Sequence, residues 1–182
     1  MATSPNTTTQ YTSGQFVESS GAILFNLSRG QSKTVCLIHY HAKDEWLLAK
    51  GRRNCGESRQ EAALREVREE TGYKAHLYPV KMYSRAPPSD EQGHMPDVPR
   101  LYPDMTEPFM LTMRQLGKDG VNDIKIIWWF IAALDDGVVP GSGGSAEEQF
   151  TPEFFPLKEA LEKLSFQNDR DVLQKAISLV QS

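Results

Sequence analysis

Apolar residues in this chain gather in short stretches divided by polar, glycine-bearing or proline-bearing breaks. Residues 21–27 (GAILFNL) and 34–40 (TVCLIHY) are apolar enough for strands, with the polar turn 28–33 between them. Residues 45–49 read as a short strand leading into a glycine-bearing loop. A helix is expected over 58–71. Ser58-x-x-Glu61 has capping-box spacing, and Gly72 stands where a helix ends in the left-handed conformation. The next strand is expected at 76–83. The run IKIIWWFIAAL within 123–134 lacks polar alternation, so it predicts a strand buried on both faces. Helical spacing returns at 155–164 and 168–180. This order does not repeat βαβ, which argues against a doubly wound parallel sheet.

Between these elements lie two long polar stretches. APPSDEQGHMPDVPRLYPDM, residues 86–105, carries prolines, glycine and acids that predict irregular structure, either a lid or binding loop or an insertion. Residues 135–148, with GSGGSAEE, predict a mobile connection. Residues 1–17 read as a flexible leader and 18–182 as one domain, which the length of 182 residues suits. No apolar run approaches a membrane span, and the first residues lack a secretory pattern, so no membrane association is expected and the cytosol is the default. Cys36 and Cys55 make no disulfide or zinc framework, and nothing local makes Cys55 a thiolate.

Charge is unevenly placed. The net charge is −4, yet residues 33–85 hold eleven Lys/Arg against seven Asp/Glu. A locally basic region in an acidic chain suits a polyanionic small-molecule ligand, whereas a DNA-binding domain would be basic throughout. The sequence points to no particular protein partner.

Inside the expected helix stand Glu66, Glu69 and Glu70. Residues three and four apart share a helical face, so these carboxylates point into one region. Such a group repels itself unless a hard cation neutralises it, and Mg²⁺ fits best when the ligand brings phosphate oxygens. His39 and His41 share a strand face but have no evident third ligand, so a structural or substrate-edge role is expected. Trp128 and Trp129 are expected in the core.

The segment GRRNCGESRQEAALREVREETGY, residues 51–73, resembles the Nudix box, GX5EX7REUXEEXGU with U apolar. The match falls on Gly51, Glu57, Arg65, Glu66, Val67, Glu69, Glu70, Gly72 and Tyr73. The flanking pattern resembles a Nudix domain over about residues 18–165. The resemblance implies an α/β/α sandwich around a mixed β-sheet and metal-dependent attack of water on a diphosphate linkage. It implies Mg²⁺, or Mn²⁺ in its place, on Glu66, Glu69 and Glu70, joined by the Gly51 carbonyl. Glu66 is the first choice for the catalytic carboxylate that orients or deprotonates water, and Glu69 the second. Glu57 and Arg65 are expected to form a supporting ion pair. Lys50, Arg52 and Arg53 surround the first glycine and suit substrate phosphates, with Arg59 and Lys43 as weaker additions. EFFPLKEAL resembles a late Nudix segment preceded by an acid near the metals, which makes Glu147 and Glu148 secondary candidates.

KGRRNCGES, RAPP and the WWF strand resemble enzymes acting on diphosphoinositol or dinucleoside polyphosphates. The dense arginines put diphosphoinositol polyphosphates first and dinucleoside polyphosphates next. ADP-ribose, on Pro87 and Pro88, is third. RNA-cap removal stands lower because no separate RNA-binding module is visible. A noncatalytic ligand-binding module is the alternative of a different class; such Nudix domains commonly lose box carboxylates, and this chain keeps all of them.

Overall fold

The computed structural model describes residues 6–30, 32–88, 96–117, 123–141 and 146–182. Its framework is a parallel pair of long strands, β1 (Phe16–Asn26) and β9 (Ile124–Leu134), in register from Phe16 beside Ile124 to Phe25 beside Ala133. Each long strand changes its second neighbour midway. β1 pairs first with β4 (Lys50–Arg52) and then with β2 (Thr34–Tyr40), while β9 pairs first with β8 (Met110–Gln115) and then with β5 (Ala75–Leu77). β10 (Phe150–Pro156) and β3 (Glu45–Leu47) extend the β2 side. All pairings except β1–β9 are antiparallel, so the sheet is mixed. β6 (Val80–Ser84) and β7 (Arg100–Met105) form a separate two-stranded sheet.

Alternation sends the two faces of β1 and β9 into two cores. Ala22, Leu24, Phe130 and Ala132 pack with Ala63 and Val67 of α1 (Arg59–Thr71). Ile23, Phe25, Ile127, Trp129 and Ile131 lie in the opposite core with Ala160 of α2 (Leu157–Lys163) and Val172, Leu173, Ala176 and Ile177 of α3 (Gln167–Val180). The result is an α/β/α sandwich, as the box resemblance implied. Among the described residues no helix is long and apolar enough to cross a membrane.

Several sequence expectations are corrected. β1 starts at Phe16, within the expected leader, because its first residues pair with β9. The single strand expected at 76–83 is two strands in two sheets, for Pro79 has no N–H to carry a ladder onward. The stretch expected to be irregular contains β7. It tolerates Pro103 because it pairs with β6 alone. Residues 89–95 of that stretch, and 142–145 of the connection at 135–148, lie outside the described residues. The helix expected at 155–164 starts at Leu157, since Phe154 and Phe155 still pair with Cys36 and Val35 of β2. β9 is buried on both faces only in its second half; Lys125, Ile126 and Trp128 are half-buried. Trp129 is in the core as expected, but Trp128 is partly outside it.

Candidate active site

The loop after β4 and helix α1 build the site from local signals. Ser58 accepts from Glu61 N at 3.1 Å and Glu61 accepts from Ser58 N at 2.8 Å, a reciprocal capping box that fixes where the helix starts. Gly72 ends it at φ 71°, with its N–H donating to Arg68 O. Val67 and Tyr73, the apolar box positions, are buried, and the Tyr73 hydroxyl accepts from Gly141 N at 2.8 Å. The polar face of α1 is thereby held toward β4 at a fixed rotation.

Arg65 organises that face. Its Nε and Nη2 donate to the two oxygens of Glu57 at 2.7 and 3.0 Å, and Nη2 also reaches Arg52 O at 2.9 Å. Its Nη1 donates to Glu66 at 2.7 Å and to Glu69 at 2.8 Å. Hydrogen bonds from Arg65 hold the Glu57 carboxyl below its ordinary range. Glu70 turns the other way and accepts from Lys50 N at 2.7 Å. Burial, only partly offset by Lys50, pushes its pKa up to about 8. Burial also raises Glu66, against the opposing effect of Arg65, and the charges of Glu69 and Glu147 add to the rise.

Gly51 is required by this packing. A Cβ built there would fall on the Glu66 carboxyl group, so only hydrogen lets strand and carboxylate approach this closely. Glu147 comes near through its backbone, whose N–H donates to Glu69 O at 2.9 Å, and its side chain accepts from Gln149. Glu148, exposed, borders the same groove as Glu147, near Thr71 and Tyr73.

The basic residues separate into two groups. Arg53 and Arg59 are both held by Glu18, at 3.0 and 2.7 Å, and Arg53 also donates to Glu57 O. Arg59 lies 4.0 Å over the Trp128 ring, whose Nε1 donates to Glu18 at 3.0 Å. Burial would raise Glu18, but Arg59, Trp128 and Arg53 together bring it below the usual carboxylate range. Lys50 and Arg52 make no ion pair with any described residue. Sequence reasoning missed Glu18, which is far from the loop along the chain and reaches it only because β1 pairs with β4. His39 and His41 do not meet on a common ligand. His39 bonds Asp44 at 2.7 Å and stacks on Trp46, while His41 bonds Thr151 at 2.7 Å.

The donor set is oxygen only, on a crowded carboxylate face, which is the chemistry of Mg²⁺ or Mn²⁺ rather than of a soft metal. Two of the three carboxyls are held above their ordinary range by burial, a cost that a bound cation would offset. Among the described residues no three His, Cys, Asp or Glu side chains form a closed metal cage. Arg65 occupies Glu66 and Glu69, and Lys50 N occupies Glu70. The residues fit a hard divalent cation in kind, with rotation of these side chains needed to gather around it.

A Bacillus subtilis (strain 168) protein named "Putative 8-oxo-dGTP diphosphatase" is 40% identical over 83 residues, 45% of this chain and 50% of that protein. The match thus spans about half the length of the curated relative. Among solved structures, a C. elegans Ap4A hydrolase superimposes with a TM-score of 0.54 at 14% identity, covering 90% of this chain and 97% of the other. The E. coli dihydroneopterin triphosphate pyrophosphohydrolase gives 0.54 at 13% identity, over 91% and 96%. At such identities these likenesses establish the fold. The NUDIX domain model matches residues 18–176, and with the complete box at residues 51–73 this chain belongs to that family.

Proposed function

We propose that this protein is a metal-dependent pyrophosphohydrolase that cleaves a phosphoanhydride in a small, highly charged substrate. The observation that carries this reading is the α1 carboxylate face packed on Gly51, beside Lys50 and Arg52, which form no ion pair among the described residues. Glu66, Glu69, Glu70 and the Gly51 carbonyl would hold Mg²⁺ or Mn²⁺, which when bound acidifies water and neutralises phosphoryl charge. Glu66 is the leading candidate for the carboxylate that orients or deprotonates the attacking water, from its place in the box and its packing on Gly51. Glu69 is the second candidate and the more exposed. Lys50 and Arg52 bind substrate phosphates. Arg53, engaged by Glu18 and Glu57 O, supports the loop, and the Glu57–Arg65 pair holds that loop against the helix.

For the substrate, the similarity to the named 8-oxo-dGTP diphosphatase and the shared fold with an Ap4A hydrolase favour a nucleoside or dinucleoside polyphosphate. This reverses the order suggested by the arginines alone. Diphosphoinositol polyphosphate is the second reading, favoured by Lys50 and Arg52, which form an ion pair with no acid among the described residues. Wild type and Glu69→Gln are to be incubated with Mg²⁺ and, separately, diadenosine polyphosphates, nucleoside triphosphates, diphosphoinositol polyphosphate, ADP-ribose and capped RNA. Selective cleavage of a nucleotide polyphosphate by wild type supports the first reading, and selective cleavage of diphosphoinositol the second. Folded wild type that binds these compounds without metal-dependent turnover would make the chain a binding module.

A further inference from the structure

On the sheet face opposite α1, cations from three strands are brought together by register. Lys50 pairs with Gly21 and Arg52 with Ser19, while Gly21 and Ser19 lie beside Trp129 and Ile127 in the parallel pair. Trp129 and Ile127 belong to the core beneath α3. Residues two apart on a strand share a face, so Lys125, two before Ile127, joins this row. Arg114 pairs directly with Lys125, and Thr112, two before Arg114, accepts from Trp129 Nε1 at 3.0 Å. Lys50, Arg52, Arg114 and Lys125 therefore ring the open end of the α3 layer. Asp169, buried in the first turn of α3, faces Arg114 at 3.7 Å.

The group is short of negative charge. Burial lowers the Lys125 pKa, and the neighbouring charges of Lys50, Arg114 and Arg52 lower it further, with Glu66 acting the other way. Gly51, on which Glu66 packs, stands between Lys50 and Arg52 on β4, so the basic group adjoins the carboxylate site through that strand. Asp169 is the one described acid that forms an ion pair with any of the four. An independent feature lies at the floor: Ser19, paired with Arg52, has a fully buried Oγ with no hydrogen-bond partner among the described residues. Four cations facing one acid with which an ion pair forms among the described residues are held ready for an anion carrying several charges. Neither Arg114 nor Lys125 lies in the box.

We propose that Arg114 and Lys125, with Lys50 and Arg52, form a polyphosphate-recognition subsite across β4 from the carboxylate helix, and that Asp169 positions the Arg114 guanidinium within it. The subsite takes the phosphates beyond the bond that is cleaved, and so rests on the proposed function for its biological use. It selects longer polyphosphates over simple diphosphates.

Inorganic tripolyphosphate titrated calorimetrically into the full chain with EDTA tests binding apart from catalysis. Lys125→Gln and Arg114→Gln should each weaken binding about tenfold, the usual scale for a lost charged hydrogen bond. Arg114→Lys should recover part of the loss, and Lys158→Gln, exposed on α2, should match wild type. Arg52→Gln, at an exposed position, serves if a half-buried variant does not fold. Asp169→Asn should also weaken binding; tighter binding, as simple removal of a negative charge gives, would overturn the positioning role. No binding by wild type, or wild-type affinity in the Gln variants, would overturn the subsite. With a cleaved polyphosphate the variants should raise KM while keeping kcat. Hydrolysis with unchanged KM sinks the subsite alone, whereas lost tripolyphosphate binding in the variants of a hydrolytically silent protein sinks only the functional reading.

Discussion

Replacing Gly51 by alanine isolates the contact between strand and carboxylate. The new Cβ would occupy the position of the Glu66 carboxyl, at the far end of a flexible side chain, so Glu66 swings away while β4 stays paired with β1. The swing breaks the 2.7 Å hydrogen bond from Arg65, between side chains 26% and 11% exposed. A hydrogen bond to a charged group contributes about 1.5–3 kcal/mol. Exchanging glycine for alanine in a strand returns about 0.5–1 kcal/mol. The net loss is about 1–2 kcal/mol, a few degrees in melting temperature for a chain of this size. Activity should suffer far more, roughly 10²–10³-fold, because the carboxylate proposed to serve the attacking water has been turned aside. Urea unfolding gives the first quantity and metal-dependent phosphate release the second. In a Glu66→Ala background Gly51→Ala should add little further loss, since the two changes act on one contact. Full additivity in that cycle, or near-wild-type turnover by folded Gly51→Ala, would refute the reasoning.

Ser58→Ala removes one half of the capping box and should destabilise the fold by about 0.5–2 kcal/mol in urea unfolding, with no specific loss of turnover per folded molecule. Glu57→Gln should lower kcat by about tenfold and Glu69→Gln by about a hundredfold or more; equal losses in two folded variants would break the division between supporting and reacting carboxylates. Burial raises the folded-state pKa of Asp169, with Lys50 and Arg114 opposing it. The folded state therefore binds the proton more tightly than the unfolded one. This group's contribution is favourable at low pH and is lost as pH rises from the ordinary aspartate range through the folded value. Denaturant midpoints followed against pH should show that slope in wild type and a flatter one in Asp169→Asn; parallel curves would contradict it.

What the sequence made legible was local. Ser58, Glu61 and Gly72 signal the ends of α1 to their neighbours three or four residues away, and the helix they delimit forms as read. The spacing of Glu66, Glu69 and Glu70 along that helix already places all three on one side. Strand content was legible where apolar residues ran together, as in β2, and illegible in β7, where Pro103 and Asp104 mimic a loop. Glu18, Arg114, Lys125 and Asp169 carry no local signal. Trp128 and Glu18 meet across 110 residues because β1 and β9 run parallel, and Asp169 meets Arg114 because α3 covers that end of the sheet. Trp129 lies within the core under α2 and α3, whereas Trp128 sits at the edge of the α1 core beneath Arg59, a difference absent from an unbroken apolar run.

The same distinction explains why one arginine matters to the box more than its spacing suggests. A guanidinium offers donors in a fixed plane, and Arg65 directs them two ways: Nε and Nη2 to Glu57 and Arg52 O, Nη1 to Glu66 and Glu69. The first set ties helix to loop; the second holds the carboxylates that would gather around a cation. Because the two sets use different nitrogens, Glu66 and Glu69 can turn away without releasing Arg65 from the loop. Glu57 then keeps a positive charge beside the site, in place for the substrate's phosphates. A lysine here would have one nitrogen for both tasks and would lose the loop when it lost the carboxylates. The spacing between Glu57 and Arg65 is thus set by the reach from loop to first helical turns, and that between Arg65 and Glu69 by one turn of helix.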